Sequence, residues 1–367
     1  MAENAIIWRM NPPKTAQSAI VDKIRKTIDS ANVNFLIGSG LSRPFLGVLN
    51  DIETYLSEDH TPAEKLEKKK EYFTTVMVDN LKIVDEVADA TKNKENVLAN
   101  YKKFYRVLNN ILLKRENSIL TKQVNIFTTN IDIFSEKALE ETGIEFNDGF
   151  NGRFNPVFNL GNFKKSYYKK SLHYENTSEI PVFNILKIHG SLTWKHGLEK
   201  DKILLDKELS LVRNVSANLT THFENTYKEL LIVNPTKEKF EDTLLNQYYY
   251  DLLRIYSNEL EKENSVLFVL GFSFADEHIR DLTERVAASN PTLKIYIVAH
   301  SAPSDIYIKL RDEAKNRNIE IILPEEEKHY DFETINKEIF EEVIKYQEEV
   351  DDTEEKEDMV VADDENK

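Results

Sequence analysis

Val33-Asn34-Phe35-Leu36-Ile37, followed at once by Gly38-Ser39-Gly40-Leu41-Ser42, is the stretch on which the reading of the fold turns. Its first half is almost continuously apolar instead of alternating, the pattern of a parallel strand covered on both faces. Its second half is a small-residue turn at the carboxyl end of that strand. The same pattern recurs downstream as VNIFT (124–128), NILKI (184–188), LLIV (230–233), VLFVL (266–270), LKIYIV (293–298) and IEIIL (319–323). Between many of these runs lie segments with helical spacing. One carries Ile20, Val21, Ile24 and Ile28 on one face; another, over about 242–262, carries Leu245, Tyr249, Leu252, Tyr256 and Leu260. Strands alternating with helices predict an α/β fold: a doubly wound, mainly parallel, Rossmann-like sheet.

Two segments depart from that rhythm. Residues 52–118 are rich in Lys, Glu, Leu and Ala and contain no glycine, which predicts a helical insertion after the first strand. Residues 144–183 are aromatic and rich in Asn and read as a long irregular excursion. The expected organisation is one unit over 1–347, with the helical insertion inside it, and an acidic, disordered tail over 348–367.

The net charge of -16 is concentrated at one end. Residues 325–367 carry 19 acidic and 5 basic side chains, leaving 45 acidic and 43 basic in the rest of the 367-residue chain. So balanced a body argues against a dedicated nucleic-acid surface. The sequence KKSYYKK (164–170), where cations alternate with aromatics, keeps single-strand binding as an alternative to a solvated loop. The start MAENAIIWRMNPPK has no signal-peptide pattern, and no run reaches the roughly 18 apolar residues of a membrane span, so a soluble cytoplasmic protein without membrane contact is expected. Cysteine is absent, which removes disulfides, thiol nucleophiles and cysteine-ligated zinc, and the eight histidines lack metal-binding spacing. No metal site is expected.

Chemistry gathers at the ends of the apolar runs. There are ten glycines in the chain, against a usual share of about 7%, and Gly38, Gly40, Gly190 and Gly271 directly follow such runs. A Gly-Ser-Gly turn lets a backbone approach a pyrophosphate, yet Arg43 stands where a dehydrogenase fingerprint has its third glycine, which disfavours hydride transfer. Thr128-Thr129-Asn130-Ile131-Asp132 ends the second run; Asp132 suits a ligand contact or a cap of the following helix, which should end at Gly143. His189 ends the third and suits a base near neutral pH or a structural role. Ser273 with Asp276 reads as a capping box that could also serve a phosphate.

Taken in order, GSGLS (38–42), TTNID (128–132), KIHGSLTW (187–194) and GFSFADEHI (271–279) resemble the sirtuin fold over roughly residues 30–300, in particular the SIR2-like NAD-consuming proteins of bacterial antiphage defence. That resemblance implies NAD+ as substrate, held across the sheet, and a helical module after the first strand. Gly38, Ser39, Gly40 and Ser42 would line the diphosphate. Asn130, with Thr129 beside it, would hold the attacking water at the nicotinamide ribose, Asp132 would meet the carboxamide, and His189 would act as general base on a ribose hydroxyl. Gly271, Ser273 and His300 would face the adenosine half, and Phe45 would take the place of an aromatic over the nicotinamide.

The deacylating sirtuins differ from this chain in two respects. They carry a four-cysteine zinc module and a Phe-Gly-Glu peptide clamp, whereas this chain has no cysteine and reads LLIVNPTKEKFED (230–242) in the corresponding region. The resemblance therefore implies an NAD+ glycohydrolase without zinc, depleting NAD+ in defence and gated by a homo-oligomer or by a HerA-like ATPase partner. The alternatives are a protein deacylase or ADP-ribosyltransferase, and a non-catalytic subunit sensing NAD+ or ADP-ribose.

Overall fold

Six of the seven apolar runs become strands of one sheet, because residues with both faces buried have no reason to alternate. The computed structural model describes residues 7–9, 14–47, 52–115, 119–172, 175–233 and 243–345. The chain begins with β1 (Ile7–Arg9), α1 (Lys14–Ser30) and β2 (Asn32–Ile37). Between β2 and the next strand lie α2 (Ile52–Ser57), α3 (Pro62–Tyr72), a π-helical turn (Phe73–Val78), α4 (Asn80–Val84) and α5 (Asn93–Leu113). Then come β3 (Gln123–Thr128), α6 (Phe134–Thr142), and the short strands β4 (Phe146–Asn147), β5 (Phe150–Asn151), β6 (Val157–Phe158), β7 (Tyr167–Lys170) and β8 (Thr177–Ile180). β9 (Val182–Lys187), β10 (Trp194–His196), β11 (Ile203–Leu205), α7 (Ser210–Ala217), α8 (Phe223–Tyr227) and α9 (Thr243–Glu261) follow. The last third alternates regularly: β12 (Ser265–Leu270), α10 (Glu277–Ser289), β13 (Lys294–Val298), α11 (Asp305–Glu313), β14 (Ile319–Leu323) and α12 (Phe332–Ile335).

Eight strands form the central sheet in the order β1-β14-β13-β12-β2-β3-β9-β4, and every neighbouring pair is parallel. Chain direction reverses beside β2: β3 and β9 build outward on one flank, while β12, β13 and β14 build on the other. In open α/β sheets such a reversal leaves a crevice at the carboxyl ends of the strands. Alternate strand residues feed two separate layers. Val33, Phe35, Ile37, Val124 and Ile126 join the layer containing α1 and α5; Leu36, Phe127, Leu186, Leu267 and Val269 join the layer containing α9 and α10. The last helix of the stretch between β2 and β3 is part of the core, since Phe104 of α5 meets Phe35 edge-on at 5.2 Å.

An asparagine ladder pins the register. Asn34, Asn125 and Asn184 are direct cross-strand neighbours on β2, β3 and β9. The Asn125 amide donates to Asn34 Oδ1 at 2.9 Å, and Asn184 donates to Asn125 Oδ1 at 2.9 Å. Slipping one strand by a residue would turn a buried amide into an apolar layer, so the ladder disfavours wrong pairings. Asn125→Leu removes the donor to Asn34 Oδ1 and leaves Asn184 Nδ2 only its longer bond to Gln123 Oε1 at 3.4 Å, and should lower unfolding free energy by roughly 2–4 kcal/mol, read as a lower denaturant midpoint at unchanged slope.

Two expectations are corrected. The run LLIV (230–233) is not a strand of the sheet. It makes one antiparallel bridge, Ile232 to Gly190, and covers the turn after β9, whose outer edge β4 already takes. The excursion over 144–183 is not irregular: β5 and β6 join β10 and β11 in a four-stranded antiparallel sheet, and β7 pairs with β8 as a hairpin. Two-residue strands are too short to show a period. KKSYYKK lies largely on the exposed strand β7. β1, at the sheet edge, is an element the sequence reading passed over. The tail 348–367 lies outside the described residues, as does NPTKEKFED (234–242).

Candidate active site at the carboxyl ends of the strands

The turn after β2 is locked onto the end of β12. Gly38 N–H donates to Leu270 O at 3.0 Å and Gly40 N–H to Gly271 O at 3.1 Å. A Cβ on Gly38 would stand 2.4 Å from Gly271 O, and one on Gly40 2.9 Å from the same atom. Close approach of two backbones thus accounts for these glycines, and their two amides are committed to the last carbonyl of β12 and to the one after it. Ser39 is half-buried beside them.

Behind this turn lies a buried polar network. Ser42 is 1% exposed, and its hydroxyl donates to Asp132 Oδ2 at 2.7 Å. A serine has one proton to give, so Tyr101 Oη, 3.1 Å from Ser42 Oγ, is the donor in that pair. Burial, reinforced by the Asp132 carboxylate, holds the Tyr101 phenol well above its ordinary pKa, which keeps it a donor. Asp132 Oδ1 accepts the Phe134 amide at 3.1 Å, so Asp132 steadies the start of α6 and joins the network at once. That helix ends at Gly143, as the sequence indicates.

Asn130 stands at the centre. Its backbone amide bonds Thr128 Oγ1 at 3.0 Å, and its side-chain Nδ2 donates to Gly38 O at 3.2 Å and Ser42 Oγ at 3.4 Å. A carbonyl oxygen can only accept, so these contacts orient the amide. Its Oδ1 is buried and has no hydrogen-bond partner among the described residues. Thr129 beside it is half-buried.

His189 is held against the same loop. Ile188 N donates to Thr128 O at 2.9 Å and Leu192 N to Ile131 O at 3.1 Å, which ties the turn after β9 to Thr128–Asp132. Val233 N donates to His189 O at 2.9 Å from the other side. The imidazole Nε2 is 2.9 Å from Asp276 Oδ2, and the His189 side chain remains 22% exposed.

The remaining candidates are more dispersed. Phe45 is buried and meets Phe134 edge-on at 5.9 Å. Ser273 is exposed and accepts the Ala275 amide at 3.4 Å. The capping-box reading is corrected here: α10 is capped by Asp276, whose Oδ1 accepts from His278 N and Ile279 N. His300 stacks on His329 at 4.9 Å, and partial burial, with electrostatic repulsion from His329 and Arg43, lowers its pKa from the ordinary histidine value. The structure therefore gathers the side chains of Ser42, Asn130 and Asp132 in one hydrogen-bonded network, ties the backbone flanking His189 to the same loop while its imidazole pairs with Asp276, and sets Phe45, Ser273 and His300 apart from that network.

Sequence reasoning missed four participants. Lys187, 4% exposed, donates to Asp132 O and lies 2.8 Å from Glu136 Oε1. Burial pushes the Glu136 carboxyl up despite that lysine. Lys187 was visible as a charge inside an apolar run, whereas Tyr101 and Glu136 sit at ordinary helix positions and Asp276 was read only as part of a cap. A cavity of about 390 Å³ lies at the opposite, amino-terminal end of the sheet, lined by Lys23, Lys26, Asn264 and Lys294 among others, and is separate from this cluster. Among the described residues no group of three or more His, Asp or Glu side chains could hold a metal ion, and no helix is long and apolar enough to cross a membrane.

Residues 124–322 match the family model described as SIR2-like domain, a span of more than half of the 367 residues that takes in Asn130, Asp132, His189 and Asp276 and begins after the turn at 38–42. No curated protein matches the chain. On the family match, and with the parallel sheet and strand-end cluster it spans, the chain belongs to the SIR2-like domain family and its function is NAD-related.

Proposed function

We propose that the chain is an NAD+ glycohydrolase, releasing nicotinamide and ADP-ribose. The observation that carries this reading is Asn130 Oδ1, a buried acceptor with no partner among the described residues, at the strand ends where such sheets bind ligands. An unpaired buried acceptor costs about 1–3 kcal/mol, a cost that natural structures keep mainly where a ligand or water completes the bond. A water or a ribose hydroxyl fits that need.

In the reaction the bond between ribose C1′ and the nicotinamide ring nitrogen breaks, and its electron pair passes to that nitrogen, so nicotinamide departs neutral. The ribose becomes oxocarbenium-like, water oxygen bonds to C1′, and His189 receives the released proton through the hydroxyl or water it faces. Asn130 orients the water. Each Asp132 oxygen retains a lone pair beyond its bond to Ser42 or to Phe134 N, enough to accept from the carboxamide. The cysteine-free sequence supports water over a lysine peptide as acceptor.

Unchecked cleavage would exhaust the NAD+ of its own cell. The activity is accordingly gated, through self-assembly or a HerA-like ATPase, and serves antiphage defence in the cytoplasm. Chromatography after incubation with NAD+ checks the reading: nicotinamide and ADP-ribose should form without added acyl-lysine peptide, and strict dependence on such a peptide would replace hydrolysis by deacylation. Light scattering checks the gate, since a fully active strict monomer contradicts it.

A further inference from the structure

We propose that Asp276 is the positioning residue for His189, fixing its tautomer so that Nδ1 is the nitrogen that takes the proton; the inference rests on the hydrolase reading for its catalytic consequence. The two residues are brought together from a distance in the fold. β9 and β12 are separated in the sheet by β3 and β2, so the contact between Nε2 and Oδ2 at 2.9 Å reaches across the ends of two strands. The loop after β12 makes this reach. Its Phe274 is fully buried, and its Phe272 carbonyl accepts from Tyr307 Oη at 2.7 Å.

The two oxygens of Asp276 have separate tasks. Oδ1 accepts the amides of His278 at 3.0 Å and Ile279 at 3.3 Å, capping the 13-residue helix α10. Capping needs only one acceptor, which Ser, Thr or Asn supplies as well. The second oxygen goes to the imidazole. An ionised carboxylate accepts and cannot donate, so Nε2 carries the proton and the lone pair is on Nδ1. Nδ1 has no hydrogen-bond partner among the described residues. When Nδ1 takes a proton, the resulting imidazolium faces a carboxylate already held in place by a helix terminus. Among the described residues the ring meets this carboxylate and Tyr249 of α9, whose ring lies 6.2 Å away.

Asp276→Asn keeps a cap acceptor and removes the charge. With its oxygen on the helix amides, the variant turns an N–H toward Nε2, which favours the tautomer with Nδ1 blocked. kcat should fall about 100-fold. Asp276→Ser should behave alike while both variants keep the thermal midpoint, as caps. Imidazole nitrogen NMR, assigned with His189→Gln, should show Nε2–H in the wild type and a changed tautomer in Asp276→Asn. Unchanged kcat and tautomer in both variants would overturn the proposal. A wild type that leaves NAD+ intact even under conditions that drive assembly, with a tautomer that still responds to Asp276→Asn, would instead uphold the pairing and overturn the hydrolase reading.

Discussion

Asn130→Ala is expected to leave the protein folded and to cut NAD+ cleavage by about 100- to 1,000-fold. The stability half of this follows from what the amide does. Nδ2 donates to Gly38 O and Ser42 Oγ, whose loss costs about 1 kcal/mol each, and removing the unpartnered buried Oδ1 returns a comparable amount. The activity half follows from geometry: Oδ1 is the acceptor left open for water or ribose, and alanine offers nothing there. Denaturant midpoints and single-turnover rates on the same preparations check both halves. A variant that unfolds readily, or that keeps its rate, would remove Asn130 from the site.

Gly190→Ala should be far more damaging than the same change at Gly143. Gly190 has φ +77°, and a Cβ there would lie 2.1 Å from Leu231 O and 3.1 Å from Ile232 Cα. Both contacts are backbone, so the bridge to Ile232 must open and the Val233 amide must leave His189 O. A destabilisation of about 3 kcal/mol or more is expected. Because His189 is the adjacent residue, a displacement near 1 Å would also cost about 100-fold in rate. Gly143 has φ +65° with nothing within 4 Å of an added Cβ, so Gly143→Ala should cost about 1 kcal/mol and leave the rate unchanged. Thermal unfolding and turnover of the pair separate steric overlap from left-handed strain.

Where sequence reasoning succeeded, the physics was local. VNFLI, VNIFT and VLFVL read as two-faced strands because burial on both sides leaves no alternation of polar and apolar residues, and all three are central in the sheet. Polar residues immediately after such strands had to lie at the carboxyl ends, which is how Asn130, Asp132 and His189 were found. LLIV misled because four buried apolar residues suit a strand or a cover equally well, and only the occupied edge of β9 decides between them. The pairing of His189 with Asp276 and that of Tyr101 with Ser42 join residues 87 and 59 positions apart. No periodicity or spacing encodes such contacts. Gly38 and Gly40 were recognised as necessary for a close approach, but the partner in that approach is Gly271.

The central claim is that this strand-end cluster hydrolyses NAD+. It is tested most directly by quantifying nicotinamide and ADP-ribose from full-length wild type and His189→Ala, in the absence and presence of conditions that drive assembly. Equal amounts of the two products from the wild type, with loss of at least about 100-fold in the variant, is the result expected. Cleavage undiminished in His189→Ala, or nicotinamide released without ADP-ribose, would contradict it.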